Sequence, residues 1–512
     1  MDIGDKIIKN TGANAVGKFF DIAMLIITTP LIYRYLGSQL YGLWSLVFVL
    51  TGYITFFDFG IRQSYAKFIA EYHAKNDNLT INKILSTGLF FYFFIGIVAT
   101  LLLYVNLNTI VFRLFKIPFE YGEIAKASIL LAFCSMCSAN AFACFSGLLD
   151  GLQRMELRNA ILVLTRIISF LGILLVIRND WGVLGLTINA AIRLLVSVIL
   201  WIIAGIKIFP GLKISLFLIS KQLFRKLFNY GYKVQVVLIS RFILVSFSQM
   251  VLSSVLGLAY VGYYTIGFKV AQAVRMVPIF LSSALIPAVS HLNVRMRKDL
   301  IDKIYYKGSK YSFFVISWIF FGSSTVIPYI FYLWLGTQNP EISYTFYVMV
   351  ISAAISMALM GVAPSILRGI GIVEYEMYGA IIRSLIIIPL GIVFTKTFGL
   401  IGLLLAIFIG IMASSIYVCV KFNKFYNTKP LALLKKITLF PLLLGGTLCI
   451  GLKWIVLEFG LSSASKALNV FYFTILSLIF SLIYISFTLL SNYFTSEEIN
   501  YLKDRIKRWR AR

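Results

Sequence analysis

Apolar positions along this chain come in long unbroken blocks, not as alternating or one-sided stripes. Runs of about 20 apolar residues, enough to cross a hydrocarbon core as a helix, recur fourteen times. They centre near 12–34, 40–60, 84–105, 124–149, 160–178, 181–206, 231–256, 259–289, 311–335, 343–367, 376–396, 398–420, 432–457 and 467–490. The pattern predicts an all-α polytopic membrane protein of fourteen transmembrane helices.

The blocks repeat. Asn10 and Gly12 of "NTG" match Asn229 and Gly231 of "NYG", and Gly37 and Gly42 match Gly257 and Gly262. "LDGLQRMEL", ending at Leu157, matches "LRGIGIVEY", ending at Tyr375, and "WGVLGL" from Trp181 matches "FGLIGL" from Phe398. Four matches in order, at offsets of 217 to 220, define a six-helix unit present twice. Six is even, so both copies keep one orientation and relate by an axis along the membrane normal. Paired repeats of this kind are a transporter architecture, with a substrate site expected between the halves. The expected divisions are an N-terminal lobe at 1–207, a cytoplasmic linker at 208–228, a C-terminal lobe at 229–424, two additional helices within 425–491, and a basic cytoplasmic tail at 492–512.

Composition agrees with the pattern: 60% of residues are hydrophobic and 13% charged, against about 25% charged in soluble domains. The formal charge of +27 invites a nucleic-acid partner, but its distribution argues against one. With the first loop outside, about 33 of the 47 Lys and Arg fall on one face and about 6 on the other. The positive-inside rule makes the basic face cytoplasmic, with both termini there. The excess is a topology signal with some attraction for anionic headgroups. No cleavable signal peptide is visible, so the first span is expected to act as an uncleaved anchor. Cys134, Cys137, Cys144, Cys419 and Cys449 all fall in expected helices and read as buried thiols. His73 and His291 fall in loops, which leaves no metal constellation.

Charges inside the spans carry the candidate chemistry, because each ion at mid-bilayer costs roughly 2.5 kcal/mol or more. Lys18, Asp21 and Asp58 lie in the first two spans, and Arg166 and Arg193 in the fifth and sixth. Arg241 lies in the seventh, Lys269 and Arg275 in the eighth, and Arg383 in the eleventh. Lys269, Gln272 and Arg275 share one helix face, a sector of about 120° at 100° per residue. Arg193 stacks with Asn189 and Ser197, and Arg241 with Ser248. Some of these have structural alternatives. Asp58 and Arg62 have the spacing of an i,i+4 ion pair; Lys18 and Arg166 are close enough to helix ends to snorkel. Asp21 is a candidate for coupling to a proton or sodium gradient, with a Lys18–Asp21 pair as the competing arrangement. A cavity rich in cations attracts an anion, and phosphate or pyrophosphate suits a mixture of Arg and Lys.

"LGSQLYGLWSLVFVLTGYITFFDFGI", "GLLDGLQR" and the fourteen-span layout resemble the Wzx-type polysaccharide repeat-unit flippases. These belong to the multidrug/oligosaccharidyl-lipid/polysaccharide (MOP) exporter superfamily. The resemblance implies two MATE-like six-helix lobes in a bacterial plasma membrane. Their cargo would be an undecaprenyl-diphosphate-linked oligosaccharide, moved from inner to outer leaflet by alternating access for O-antigen, capsule or another lipopolysaccharide-type envelope polymer. Its diphosphate supplies the anion that Arg241, Lys269, Arg275, Arg193, Gln272, Arg166 and Arg383 call for. No cofactor is expected beyond an ion gradient; a downstream polymerase complex is a conceivable partner, and a monomer suffices. Alternatives are a lipid II flippase, a multidrug antiporter of the same superfamily, and a membrane glycan polymerase or glycosyltransferase. The antiporter usually has two fewer helices and takes cationic drugs, which a positive cavity serves badly. The enzyme needs a catalytic acid or base on a substantial loop, and the longest outer loop here runs to only about 18 residues.

Overall fold

The computed structural model describes residues 3–53, 61–152, 154–283, 285, 289, 298–336, 339–372, 374–426, 437–458, 466–491, 493–495 and 498. Every regular element among them is helical. Nine of these helices are long and apolar enough to cross a membrane. Two compact units emerge, Met1–Ile266 with Arg383–Ile407, and Gly267–Ile382 with Phe408–Arg512. The first contains α1 (Ile3–Tyr53), α2 (Ile61–Ala74), α3 (Asn78–Asn108), α4 (Gly122–Ala141), α5 (Ala143–Gly151), α6 (Met155–Arg178), α7 (Gly182–Ile208), α8 (Lys221–Phe242), α9 (Ser248–Leu256) and the start of α10 (Leu258–Ser283). The second holds the rest of α10, α11 (Lys298–Leu335), α12 (Pro340–Met360), α13 (Ala363–Ile370), both ends of α14 (Glu374–Tyr426), α15 (Leu439–Glu458) and α16 (Lys466–Leu490). Residues 383–407 of α14 belong to the first unit.

Apolar side chains cover the surface as well as the core. Val105 is 78% exposed and Ile450 71%, whereas Thr165, Thr187 and Ser248 are fully buried. Such a surface is stable only where hydrocarbon is the solvent. The buried hydroxyls are satisfied within their own helices: Thr187 donates to the Val183 carbonyl at 2.9 Å and Ser248 to that of Leu244 at 2.9 Å. Caps start the helices. Asp77 accepts from the Thr80 N–H at 2.9 Å to begin α3, and Asn339 from Glu341 at 3.0 Å to begin α12, with Pro340 in the first turn.

The matched glycines of the repeat are where the chain changes direction. Gly37 (φ 69°, ψ 178°) bends α1, and Gly257 (φ 93°, ψ 178°) separates α9 from α10. Positive φ with ψ near 180° is open essentially to glycine alone. A Cβ at either position would meet nothing within 4 Å. Conformation, not space, therefore demands glycine there. The second matched pair behaves alike, Gly182 (φ 59°) between α6 and α7 and Gly399 (φ 61°) at the bend of α14.

Five residues beyond each bend, space takes over. A Cβ on Gly42 would lie 1.8 Å from the Leu258 carbonyl oxygen, and one on Gly262 would lie 2.6 Å from that of Ser38. Gly42 and Gly262 are repeat partners, and so are Ser38 and Leu258. The two contacts are images of each other, as an internal two-fold requires. Upstream of these pairs the offset is 219 and at them it is 220. The extra residue falls where a π-helical turn, Ile243–Phe247, interrupts the α-helix between α8 and α9. Its counterpart in α1 is α-helical, and one inserted residue is what such a turn absorbs.

The segment expected as a linker is held along α3. Asn82 donates to the Gly211 carbonyl at 2.8 Å and accepts from the Lys213 N–H at 3.1 Å. Ser86 accepts from the Ser215 N–H at 3.3 Å and Thr87 from that of Ser220 at 3.0 Å. Three polar side chains within two turns of an apolar helix are thereby satisfied.

In the second unit, α11 packs against α12, α15 and α16. Beyond α16, Thr495 and Glu498 form a capping box, with the Thr495 N–H donating to Glu498 at 3.0 Å and the Glu498 N–H to Thr495 Oγ1 at 3.3 Å. Glu498 is buried and also receives Lys310 Nζ at 2.7 Å and the Tyr311 hydroxyl at 2.9 Å. Burial alone would raise its pKa. The hydrogen bonds from Lys310, the Thr495 N–H and Tyr311 outweigh that and hold it at about 2. The stabilisation is therefore complete above the ordinary glutamate value near 4.5 and is lost as pH falls toward 2. Limited proteolysis after α16 is expected to accelerate across that window. Glu498→Gln should bring similar cleavage at neutral pH, for a local loss of about 2 kcal/mol. Cleavage rates unchanged in the variant would refute this anchor.

Candidate functional site

Apolar helices that carry ions must bring them together, and in the first unit three helices do so. α1 packs against α6, and α6 against α7. Asp21 on α1 meets Arg166 on α6, with Oδ1 2.5 Å from Nε. Arg193 on α7 lies within electrostatic reach of both. One carboxylate thus pairs with Arg166 and feels the field of a second guanidinium, Arg193. Arg166 and Asp21 keep 35% and 43% of their side-chain surface accessible, so the pair borders open space. Nearby, the Asn189 amide donates to the Ser169 carbonyl at 3.0 Å and sits against Gly172, where a Cβ would lie 2.0 Å from its Oδ1. Ser197 donates to the Arg193 carbonyl at 2.8 Å. The polar stripe Asn189, Arg193, Ser197 is therefore fastened to α6 at one end and to its own backbone at the other.

A second arginine rung is built in the same way. Arg383, on the part of α14 that belongs to this unit, donates from an Nη to Ser240 Oγ on α8 at 2.8 Å. Ser240 and Ser384 share a 2.9 Å hydrogen bond. Arg166 and Arg383 are 217 residues apart, and Asp21 and Ser240 are 219 apart, both within the offsets of the repeat. Each rung runs from the fifth helix of its repeat to the first. Among the described contacts, the first rung uses a carboxylate and the second a hydroxyl.

Lys269, Gln272 and Arg275 lie on the second-unit part of α10, all half-buried, beside the buried Pro278. The side chains of Lys18, Arg62 and Arg241, and all of Asp58, lie outside the described residues, as does any Lys18–Asp21 or Asp58–Arg62 pair. Asp21 is paired with Arg166, which lies at the middle of α6 (Met155–Arg178) and not near a helix end. The expectation that Arg166 snorkels is thus corrected: the helix begins earlier than the apolar run suggested. Ser240 and Ser384 escaped notice in the sequence. Adding the repeat offset to Asp21 would have found Ser240. Tyr264 is fully buried and its hydroxyl donates to the Leu244 carbonyl at 3.1 Å, a packing role. Cys137, Cys144, Cys419 and Cys449 are buried and Cys134 is half-buried, all as free thiols.

Lipid-exposed helices that enclose an ionised cluster define a multi-pass membrane transporter. Comparison with known proteins gives the family. The chain belongs to the polysaccharide biosynthesis protein family, whose profile matches residues 7–293. It is 25% identical over 289 residues to a Shigella flexneri protein assigned as an O-antigen transporter, covering 56% of this chain and 67% of that protein. Among solved structures it resembles the lipid II flippase MurJ in an inward closed conformation, with TM-score 0.72 and 15% identity over 93% of this chain and 98% of the other. It also resembles an inward-facing multidrug resistance MATE transporter of the MOP superfamily, with TM-score 0.67 and 16% identity over 82% and 96%. These two likenesses fix the fold.

Proposed function

We propose that this protein is a flippase that carries undecaprenyl-diphosphate-linked oligosaccharide repeat units from the inner to the outer leaflet of a bacterial plasma membrane. Transport proceeds by alternating access, for surface polysaccharide synthesis, with both termini cytoplasmic. The observation that carries this reading is the excess of cations over acids inside the apolar helices, seen most directly where Arg166 pairs with Asp21 and Arg193 lies within electrostatic reach of both. Such an excess suits an anionic cargo and disfavours a cationic drug. Membership of the polysaccharide biosynthesis family supports the oligosaccharide.

Arg241, Lys269 and Arg275, with Gln272, Arg193, Arg166 and Arg383, neutralise the diphosphate and lower the cost of its passage through a low-dielectric core. The polyprenyl tail stays in lipid. Asp21 links the cycle to a proton or sodium gradient. In proteoliposomes holding a fluorescent undecaprenyl-diphosphate oligosaccharide, an impermeant quencher reports which leaflet the probe occupies. The parent is expected to equilibrate the probe, and Lys269→Ala with Arg275→Ala to slow it roughly 100-fold, from the loss of two charge-assisted contacts. A parent that leaves this probe in place while moving lipid II would transfer the reading to a lipid II flippase. Unaltered transport by the folded double variant would remove Lys269 and Arg275 from the binding set.

A further inference from the structure

From Lys207 to Lys226 the chain carries five cations and no acid, and the middle of that stretch, "ISLFLIS" from Ile214 to Ser220, is largely apolar. Phe217 is 98% exposed, and Leu216 and Ile219 are exposed beside it. In water such a cluster would be a liability. Its level on α3 decides what it faces. The segment hangs from Ser86 and Thr87 through the Ser215 and Ser220 N–H groups. Those two anchors stand one turn beyond Lys83, and no charged residue follows Lys83 until Arg113. A lysine at the foot of so long an apolar run belongs at headgroup level, so the segment lies at the edge of the hydrocarbon. Its backbone suits that place, where an unmade hydrogen bond is costly. The N–H groups of Phe217, Leu218 and Ile219 donate within the segment, to Ser215 Oγ at 3.3 Å and to the Ser215 and Leu216 carbonyls at 3.1 and 3.2 Å. Lys213 on one side, and Lys221 and Arg225 on the other, are exposed. The last two are four residues apart at the start of α8 and share a face.

We propose that residues 213–225 form an interfacial lipid anchor. Leu216, Phe217 and Ile219 enter the acyl region of the adjoining leaflet, and Lys213, Lys221 and Arg225 gather the phosphate headgroups of acidic phospholipids around them. Apolar side chains flanked by cations, with no acid among them, match such a lipid in both of its parts. The inference rests on the membrane class and not on the cargo. The positive-inside count makes the leaflet the inner one. Ser220, whose N–H is held by Thr87, also caps α8 by accepting from the Leu223 N–H at 3.3 Å. Lipids bound here therefore fix the start of α8.

The test places a bimane label on Phe217→Cys in the full-length protein, reconstituted in phosphatidylcholine vesicles. The parent, treated alike, gives the background from the native thiols. A minor fraction of phosphatidylglycerol brominated on its acyl chains is expected to quench the label at least about fivefold more than the same fraction of brominated phosphatidylcholine. Each cation near a membrane surface favours an acidic lipid by about that factor. Aqueous iodide is expected to leave the label bright. With Lys213→Gln, Lys221→Gln and Arg225→Gln combined, quenching by the two lipids should agree within about twofold. High salt should act in the same direction without any further substitution. Quenching by iodide and not by lipid overturns the anchor and returns the segment to water. Quenching by neither overturns it in favour of a covering protein, such as a second copy of this chain. Equal quenching by the two lipids before any charge is removed overturns the headgroup site.

Discussion

Gly42→Ala should melt well below the parent, and Gly42→Val should yield little monodisperse protein. A methyl group at this position would sit 1.8 Å from the Leu258 carbonyl oxygen and 2.7 Å from its carbon. Both obstacles are backbone, so no side chain can turn aside. Overpacking a well-filled site typically costs 1–3 kcal/mol. Here two helices must separate, and about 3 kcal/mol or more is expected for alanine. Close backbone approach at small residues is how membrane helices gain packing without a hydrophobic driving force. The repeat partner sets an internal control. Gly262→Ala meets the Ser38 carbonyl at 2.6 Å, a milder clash, so its loss should be smaller. Melting followed by intrinsic fluorescence, with size-exclusion profiles, gives both values. A Gly42→Ala melt within about 2 °C of the parent would show that the contact yields, and the close pairing would lose its structural weight.

Arg166→Ala should be the more damaging half of its ion pair. It leaves the Asp21 carboxylate among apolar helices with Arg193 as a cationic neighbour at longer range. Breaking a buried pair by removing one partner costs about 3–5 kcal/mol. The part-exposure of both side chains places this pair below that range, at about 2–3 kcal/mol. Removing both groups, in Asp21→Ala with Arg166→Ala, should recover most of the loss. The coupling energy from the four melting curves is the quantity to read. Strict additivity would mean that the two groups do not depend on each other.

The chain announces its helices, its duplication and its bends plainly. Blocks of about 20 apolar residues are unambiguous, and two glycine pairs that match across the repeat, Gly37 with Gly257 and Gly182 with Gly399, bear positive φ. The partner of Asp21 was hidden. Lys18 is one turn away in sequence, whereas Arg166 is 145 residues off and reaches Asp21 only because α1 packs on α6. A helix that is apolar all round carries no stripe to say which side faces its neighbours. The rotation that brings Arg166 onto Asp21 is thus set by packing. The same reason conceals the docking of Gly211–Ser220 onto Asn82, Ser86 and Thr87. Those three polar residues read as isolated blemishes in an apolar run until their partners are seen.

The π-helical turn at Ile243–Phe247 also records history. A duplicated gene begins with two copies in perfect register. These copies still count 219 residues apart before the turn and 220 after it, so a single codon was gained in one copy, or lost from the other, after they diverged. The lineage that kept the change did not let it shift the rest of the helix. Gly257 and Gly262 still stand opposite their ancestral counterparts, and the slippage between the first matched pair and these is confined to one turn. Selection has therefore held the geometry of the two halves more tightly than their lengths.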